Sequence, residues 1–330
     1  MTTLTRRHLL QASAATLLSD VAAHAFAQAA PFDTVRLITG FPPGGTSDTI
    51  CRRVASKLAP GYGKSVVVEN RAGAGGQIAV QTFKTMAPDG AALLQTPMSM
   101  LGVYPHIYKK LQYDPVNDVV PVSLGATFDF GFAVGPAVPA AVHNIPEFLA
   151  WCKANPTQAN FGSPGAGAVP HFIGVLIGRS GGVDLKHVPY RGTQPAILEM
   201  VGGQIQAVSG PVGEFAPHVA SGKCRVLACT GAQRSKFAPN VPTLLEQGLK
   251  DMVFNEWFGF FLPAKAAPDV VQRANAALRG ALAEREVIEG LEVMGLEAKS
   301  SSPAELAAML KADTERWGPV VKAIGFTADS

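Results

Sequence analysis

Residues Gly40–Ile50 read GFPPGGTSDTI, two prolines and a Gly-Gly pair set between the apolar run VRLIT (Val35–Thr39) and a segment of helical period. Ile50, Val54 and Leu58 fall at i, i+4 and i+8, a single apolar stripe, so the stretch reads as a strand-to-helix turn. A helix N-terminus exposes about four unpaired N–H groups and a partial positive charge, and it holds a carboxylate or phosphate without help from an arginine. Gly44 and Gly45 let the backbone approach a guest that a Cβ would push away, Thr46 and Ser47 add hydroxyl donors, and Pro42 and Pro43 stiffen the approach. Asp48 fits a structural acid of the first helical turn and an orienting group equally well.

The same grammar recurs at Asn160–His171, NFGSPGAGAVPH, where Ser163, Gly165 and Gly167 precede a helix expected from about His171. Either loop alone reads as a tight turn. In doubly wound sheets ligands collect at the carboxyl ends of strands, so two such loops facing one cleft would grip both ends of one small anion through main-chain amides. His171 reads as a packed or capping histidine rather than a catalyst.

Between and after these loops, short apolar runs alternate with amphipathic segments: VRLITGF, Asp48–Leu58, SVVVEN, Gln77–Met86, ALLQT, and later ANFGS, LKHVPY, QPAILEMVGG, QIQAVSG and RVLACTG. This is an α/β pattern of mostly parallel strands with helical crossovers. VPVSLGATFDFGFAVGPAVPAA and FNEWFGFFLPAKAAP are expected to be the crossings between two domains, 29–131 with 257–330 and 132–256. The C-terminal segments are helical, the last opening with Ser302, Pro303 and Glu305 as cap and first turn.

Composition narrows the function. The 330 residues are 47% apolar and 16% charged, enough for a large core. Residues 1–28 carry Arg6 and Arg7, an apolar stretch and small residues before Ala27, the pattern of an export signal by the twin-arginine or general secretory route. Its removal leaves 26 basic against 24 acidic residues, a net charge of +2, too balanced for nucleic-acid binding. No other segment has the roughly 20 apolar residues that span a bilayer. Cys51, Cys152, Cys224 and Cys229 are irregularly spaced and read as buried thiols. GYGKS (Gly61–Ser65) ends like a phosphate-binding loop but has Leu58 at the first glycine position and a strand after it, and GAGGQI lacks the last glycine of a dinucleotide fingerprint. The seven histidines are dispersed. Metal, cofactor and nucleophilic chemistry have no local support; the rival enzyme reading is a hydrolase or lyase using His171, Asp48 and Ser163 across the cleft.

The order of FPPGGTSD, VVVENRAGAGGQIA, APDGAALL, LQYDPVNDVVPVSL, NFGSPGAGAVPHF, HVPYRGTQPAILEMVGGQI, GKCRVLACTGAQRS, NVPTLLEQG and WFGFFLPAKAAPDVV resembles that of the Bug-type extracytoplasmic solute receptors of tripartite tricarboxylate transport systems, from Val35 to about Gly325. The resemblance implies a two-domain periplasmic binding protein of type II topology, without chemistry of its own, that acts as a monomer, binds a small carboxylate and serves a membrane permease; signalling to a sensor kinase is the other role it allows. It implies ligand contacts at Phe41, Gly44, Gly45, Thr46, Ser47, Asp48, Met98, Ser99, Ser163, Gly165, Ala166, Gly167 and His171. One departure stands out. After VGGQ, where relatives commonly carry acids, this chain reads Ile205–Gly210 without one, which weakens the case for an amino-acid ligand unless Glu214 supplies the counter-charge.

Overall fold

A computed structural model describes residues 30–328 of the chain; the export signal expected at 1–28 lies outside them. Its strands are β1 (Phe32–Thr39), β2 (Gly63–Asn70), β3 (Ala92–Pro97), β4 (Val119–Val134), β5 (Asn160–Ser163), β6 (Lys186–Pro189), β7 (Ala207–Pro211), β8 (Arg225–Cys229), β9 (Asn255–Pro263) and β10 (Glu297–Ala298). They form one mixed sheet in the order β2-β1-β3-β9-β4-β7-β5-β6, with β8 and β10 paired to β4 off this path. The helices are α1 (Thr46–Leu58), α2 (Gln77–Phe83), α3 (Met98–Gly102), α4 (Ile145–Ala154), α5 (Val169–Ser180), α6 (Thr193–Val201), α7 (Ala216–Ala220), α8 (Pro268–Ala283), α9 (Arg285–Glu292) and α10 (Pro303–Ile324).

Each end of the sheet is a parallel trio, β2-β1-β3 and β7-β5-β6. Strands buried on both faces read as apolar runs, and crossover helices cover them, as the alternating pattern requires. Helix α1 buries Ile50, Val54 and Leu58, the stripe read from the sequence. The middle of the sheet is antiparallel. Residues Val119–Asp129 of β4 pair with β9, and Phe130–Val134 pair with β7 and β8, so one 16-residue strand bonds the second trio directly and the first through β9, which pairs with β3. The register of β4 against β9 shifts between Pro121 and Ser123 and between Leu124 and Ala126, irregularities that bend a strand.

The C-terminal helix α10 ties the two ends together from one side. Ser302 accepts from the Glu305 amide and Glu305 reaches back to the Ser302 amide, a full capping box. Trp317, buried on this helix, stacks on Phe254 at 5.4 Å and lies 6.2 Å from Phe172 of α5, while Arg179 of α5 donates to the Ile324 carbonyl at 2.5 Å. Element ends differ from the sequence reading by a few residues. Helix α2 stops at Phe83 and not Met86, and β7 begins at Ala207 because the chain is still turning at Gln204–Gln206. All four cysteines are free and buried. No helix of the described residues is long and apolar enough to cross a membrane.

Ser302→Ala removes one of the two reciprocal cap bonds and should destabilise the protein by about 1 kcal/mol. Urea unfolding at neutral pH measures it, and an unchanged midpoint would show that α10 is held by packing alone.

Candidate functional site

The strand-to-helix turns at the carboxyl ends of β1, β3, β5 and β7 converge on one narrow cavity of about 60 Å³. Its walls are apolar: Phe41, Phe128, Phe130 and Phe258 with prolines 42, 97, 164, 170, 195 and 211 among them. Phe128 stacks on Phe258 at 4.7 Å and meets Phe130 edge-on at 5.4 Å. Thr46, Ser47, Ser99, Thr193, Gln194, Glu214 and Glu256 supply the polar side chains of the wall, and no lysine, arginine or histidine among the described residues lines it.

At the mouth of α1 the turn is fixed from below. Asp48 accepts from the Gly44 amide (3.0 Å), from Arg52 Nε (2.8 Å) and from Asn70 Nδ2 (2.9 Å). Burial works to raise the Asp48 pKa, but Arg52, the Gly44 amide and Asn70 outweigh it and hold the carboxyl below its ordinary value. Ser47 turns its hydroxyl inward to Thr39 Oγ1 at 2.7 Å and Gln95 Oε1 at 2.5 Å. Thr46 faces Glu214: its amide and hydroxyl both donate to Glu214 Oε1, at 3.0 and 2.9 Å, and Gln194 Nε2 donates to Oε2 at 3.0 Å. Glu214 rides on the turn after β7, only 4% exposed. That turn needs Gly213, because a Cβ there would lie 1.8 Å from the Met294 carbonyl oxygen. Glu256, on β9 and 2% exposed, accepts the Ser99 amide at 2.7 Å. Burial raises both carboxyl pKa values, that of Glu256 to about 8.

The second glycine loop is arranged differently from expectation. Ser163 Oγ lies 2.7 Å from His187 Nε2 and 3.1 Å from the Gly165 carbonyl, and the Gly167 amide donates to His171 Nδ1 at 3.1 Å. The Ala166 carbonyl accepts from Tyr108 Oη at 3.3 Å. Gly165 packs against the opposite loop, where a Cβ would lie 3.3 Å from Gly75 Cα, and Gly167 sits against Ile107. His171 stacks on His187 with ring centres 3.8 Å apart, and burial lowers their pKa values to about 4 and about 3, keeping both rings neutral at pH 7.

Of the residues expected at the ligand, Phe41, Gly45, Thr46, Ser47 and Ser99 line the cavity; Gly44, Asp48, Met98, Ser163, Gly165, Ala166, Gly167 and His171 do not. The reason is packing. Met98 is buried beneath the turn, the second loop spends its glycines on contact with the Gly75 and Ile107 loops, and Pro164, Ala168 and Pro170 take its place in the wall. The picture of free amides alone holding the guest is also corrected, since the Thr46 and Ser99 amides are occupied by the protein's own carboxylates. The trio His171, Asp48 and Ser163 is not assembled, each member being bonded to other partners. Sequence reasoning missed Phe128, Phe130, Gln194, Glu256 and Phe258. A signal existed for Glu256, a lone acid inside the apolar run FNEWFGFF.

Residues 50–326 match the family model described as tripartite tricarboxylate transporter family receptor. The chain belongs to that family. It is 29% identical over 308 residues to Protein BugT of Bordetella pertussis, covering 93% of this chain and 94% of that one. The periplasmic binding protein BugD has the same fold with a TM-score of 0.84 at 27% identity, over 90% of this chain and 99% of BugD. MatC of Rhodopseudomonas palustris, solved with bound malate, superposes with a TM-score of 0.81 at 28% identity, over 87% of this chain and 98% of MatC. The mixed α/β architecture is therefore that of the periplasmic binding proteins, and the chain is a solute-binding receptor by family.

The raised Glu256 pKa carries a sign. The folded state favours the protonated form, so this group's contribution to stability is full below about pH 4.5 and declines as pH rises through about 8. Glu256→Gln keeps an acceptor for the Ser99 amide and removes the ionisation. Thermal unfolding should show the variant gaining on the parent at pH 9 relative to pH 5; a parallel pair of pH profiles would refute the assignment.

Proposed function

We propose that this receptor works in the periplasm, captures a small carboxylate in the cavity between two lobes, 29–131 with 257–330 and 132–256, and delivers it to the membrane permease of a tripartite tricarboxylate transport system. The observation that carries the reading is the cavity itself: loops from both ends of the sheet close on it, and the first turn of α1 opens into it through Gly45, Thr46 and Ser47. Of the four amides that lack intrahelical acceptors at an N-terminus, the Thr46 amide is committed to Glu214, and the others of that turn would receive a carboxylate beside it. Membership of the receptor family and the malate bound by MatC support the ligand class.

Lobe closure would work as hinge motion about β4 and the chain entering β9, since β4 is shared by both ends of the sheet. The packing of Gly165 against Gly75 and of Gly192 against Pro42 supports contacts of this kind between the lobes. One chain supplies both jaws, so a monomer suffices.

Titration calorimetry of the mature chain against a carboxylate panel should give heat with at least one member; heat from a sugar or a metal ion alone, and from no carboxylate, would reject the reading. Gly45→Val tests the mouth of α1. Gly45 has φ −82° and ψ 177°, which valine tolerates, and its Cβ would lie 3.4 Å from Glu214 Oε1. The variant should keep its thermal midpoint within a few degrees and lose roughly tenfold or more in affinity.

A further inference from the structure

We propose that Glu256 meets the guest as a neutral carboxylic acid and donates its proton in a hydrogen bond to the guest's carboxylate, so that this one wall residue couples binding to protonation. The proposal rests on the proposed carboxylate-receptor function and names a side chain that recognises the guest.

Strand pleating puts Glu256 in the wall. Residues two apart on a strand share a face, so Glu256 lies on the same side of β9 as Phe258. It pairs in register with Phe128 of β4, whose ring stacks on Phe258 in the cavity lining. The carboxyl is thus held among aromatic rings and is buried. Hydrogen bonding separates it from the other acid of the wall. Glu214 collects three donors from Thr46 and Gln194 over both of its oxygens, an arrangement that suits a carboxylate. Glu256 draws on Ser99 alone, whose amide donates to Oε1 at 2.7 Å with the hydroxyl of the same residue as a second partner. An amide donor at Oε1 makes that atom the carbonyl oxygen of the acid and leaves the proton to Oε2.

The charges around this carboxyl do not hold it ionised. Arg316 of α10 is ion-paired with Asp313 at 3.0 Å, and the two act on Glu256 in opposite directions. Tyr104, which follows α3, is a buried neutral phenol, and Glu214 is a second acid in the same wall. A carboxyl taken out of water without a cation of its own favours the neutral form, and burial lifts Glu256 to about 8. Protonated, it offers an O–H to a charged acceptor, the stronger kind of hydrogen bond. Ionised, it opposes the guest with a like charge in poorly screened surroundings. The guest therefore binds one protonation state and, by linkage, tightens the hold of Glu256 on its proton.

Calorimetry on the mature chain with malate, adipate and 3-phenylpropanoate, all ionised from pH 7 to pH 9.5, provides the test, with thermal midpoints confirming the fold at each pH. The tightest of these probes should lose roughly tenfold or more in affinity over that range, and buffers of different ionisation heat should show uptake approaching about one proton per probe bound at pH 9 and little at pH 7. Glu256→Gln keeps a donor and cannot ionise, so its affinity should be the same at both ends of the range, without proton uptake. The infrared difference between parent and variant at pH 7, recorded with no probe added, should contain the carbonyl band of a protonated carboxylic acid. Absence of that band, a parent affinity that holds or rises with pH, or a pH slope retained by the glutamine variant overturns the proposal and leaves the carboxylate-receptor reading standing. Heat from no carboxylate at any pH overturns that reading, and this proposal with it.

Discussion

The hydrogen bonds from the Thr46 amide and hydroxyl to Glu214 join the two ends of the molecule in the wall of the cavity. A carboxylate at a helix N-terminus is favoured by the unpaired amides and the helix dipole together. Here the carboxylate comes from the turn after β7, and the helix follows β1, so one buried contact draws together elements that the sheet keeps far apart. Gly213 is needed for that turn to lie against Met294, and Gln194 completes the cradle from α6. The helix terminus is therefore an anion site that the protein partly fills itself.

The remaining architecture serves that meeting. Strand β4 is hydrogen-bonded to β9 along one stretch and to β7 and β8 along the next, so the second trio is joined to it directly and the first through β9, by sheet bonding rather than a flexible tether. Helix α10 adds a second link through Trp317, which lies near both Phe254 and Phe172. Between these links the second glycine loop meets the turn that follows β2, Gly165 against Gly75, and the cavity is what remains in front of them. An apolar lining raises the electrostatic stakes inside it, because each charge on the wall or on a guest is poorly shielded.

Much of the fold was legible in the residues. The Ile50–Val54–Leu58 stripe predicted α1, Ser302 with Glu305 predicted the cap of α10, and the apolar runs around Val35, Val66 and Leu93 predicted the first parallel trio. These features are local, so period and capping chemistry report them directly. The site was half legible. Thr46 was read from its turn and Ser99 from the resemblance, and both line the cavity, whereas Gly167 and His171, also named by the resemblance, are bonded to each other. A glycine-rich turn looks the same in sequence whether its amides face a guest, a neighbouring loop or a buried imidazole.

By itself the sequence determined the α/β class, the two strand-to-helix turns with their anion-seeking helix start, and the family to which the chain belongs, because periodicity, capping and motif order are carried by neighbours along the chain. Only the tertiary structure decided that Glu214 and Glu256 sit in the cavity wall, that the second loop turns its glycines away, and that four phenylalanines from three separate segments form the lining. The partners in those contacts lie up to 168 positions apart. Their meeting is set by how β4 carries one half of the sheet onto the other, and no local pattern encodes it.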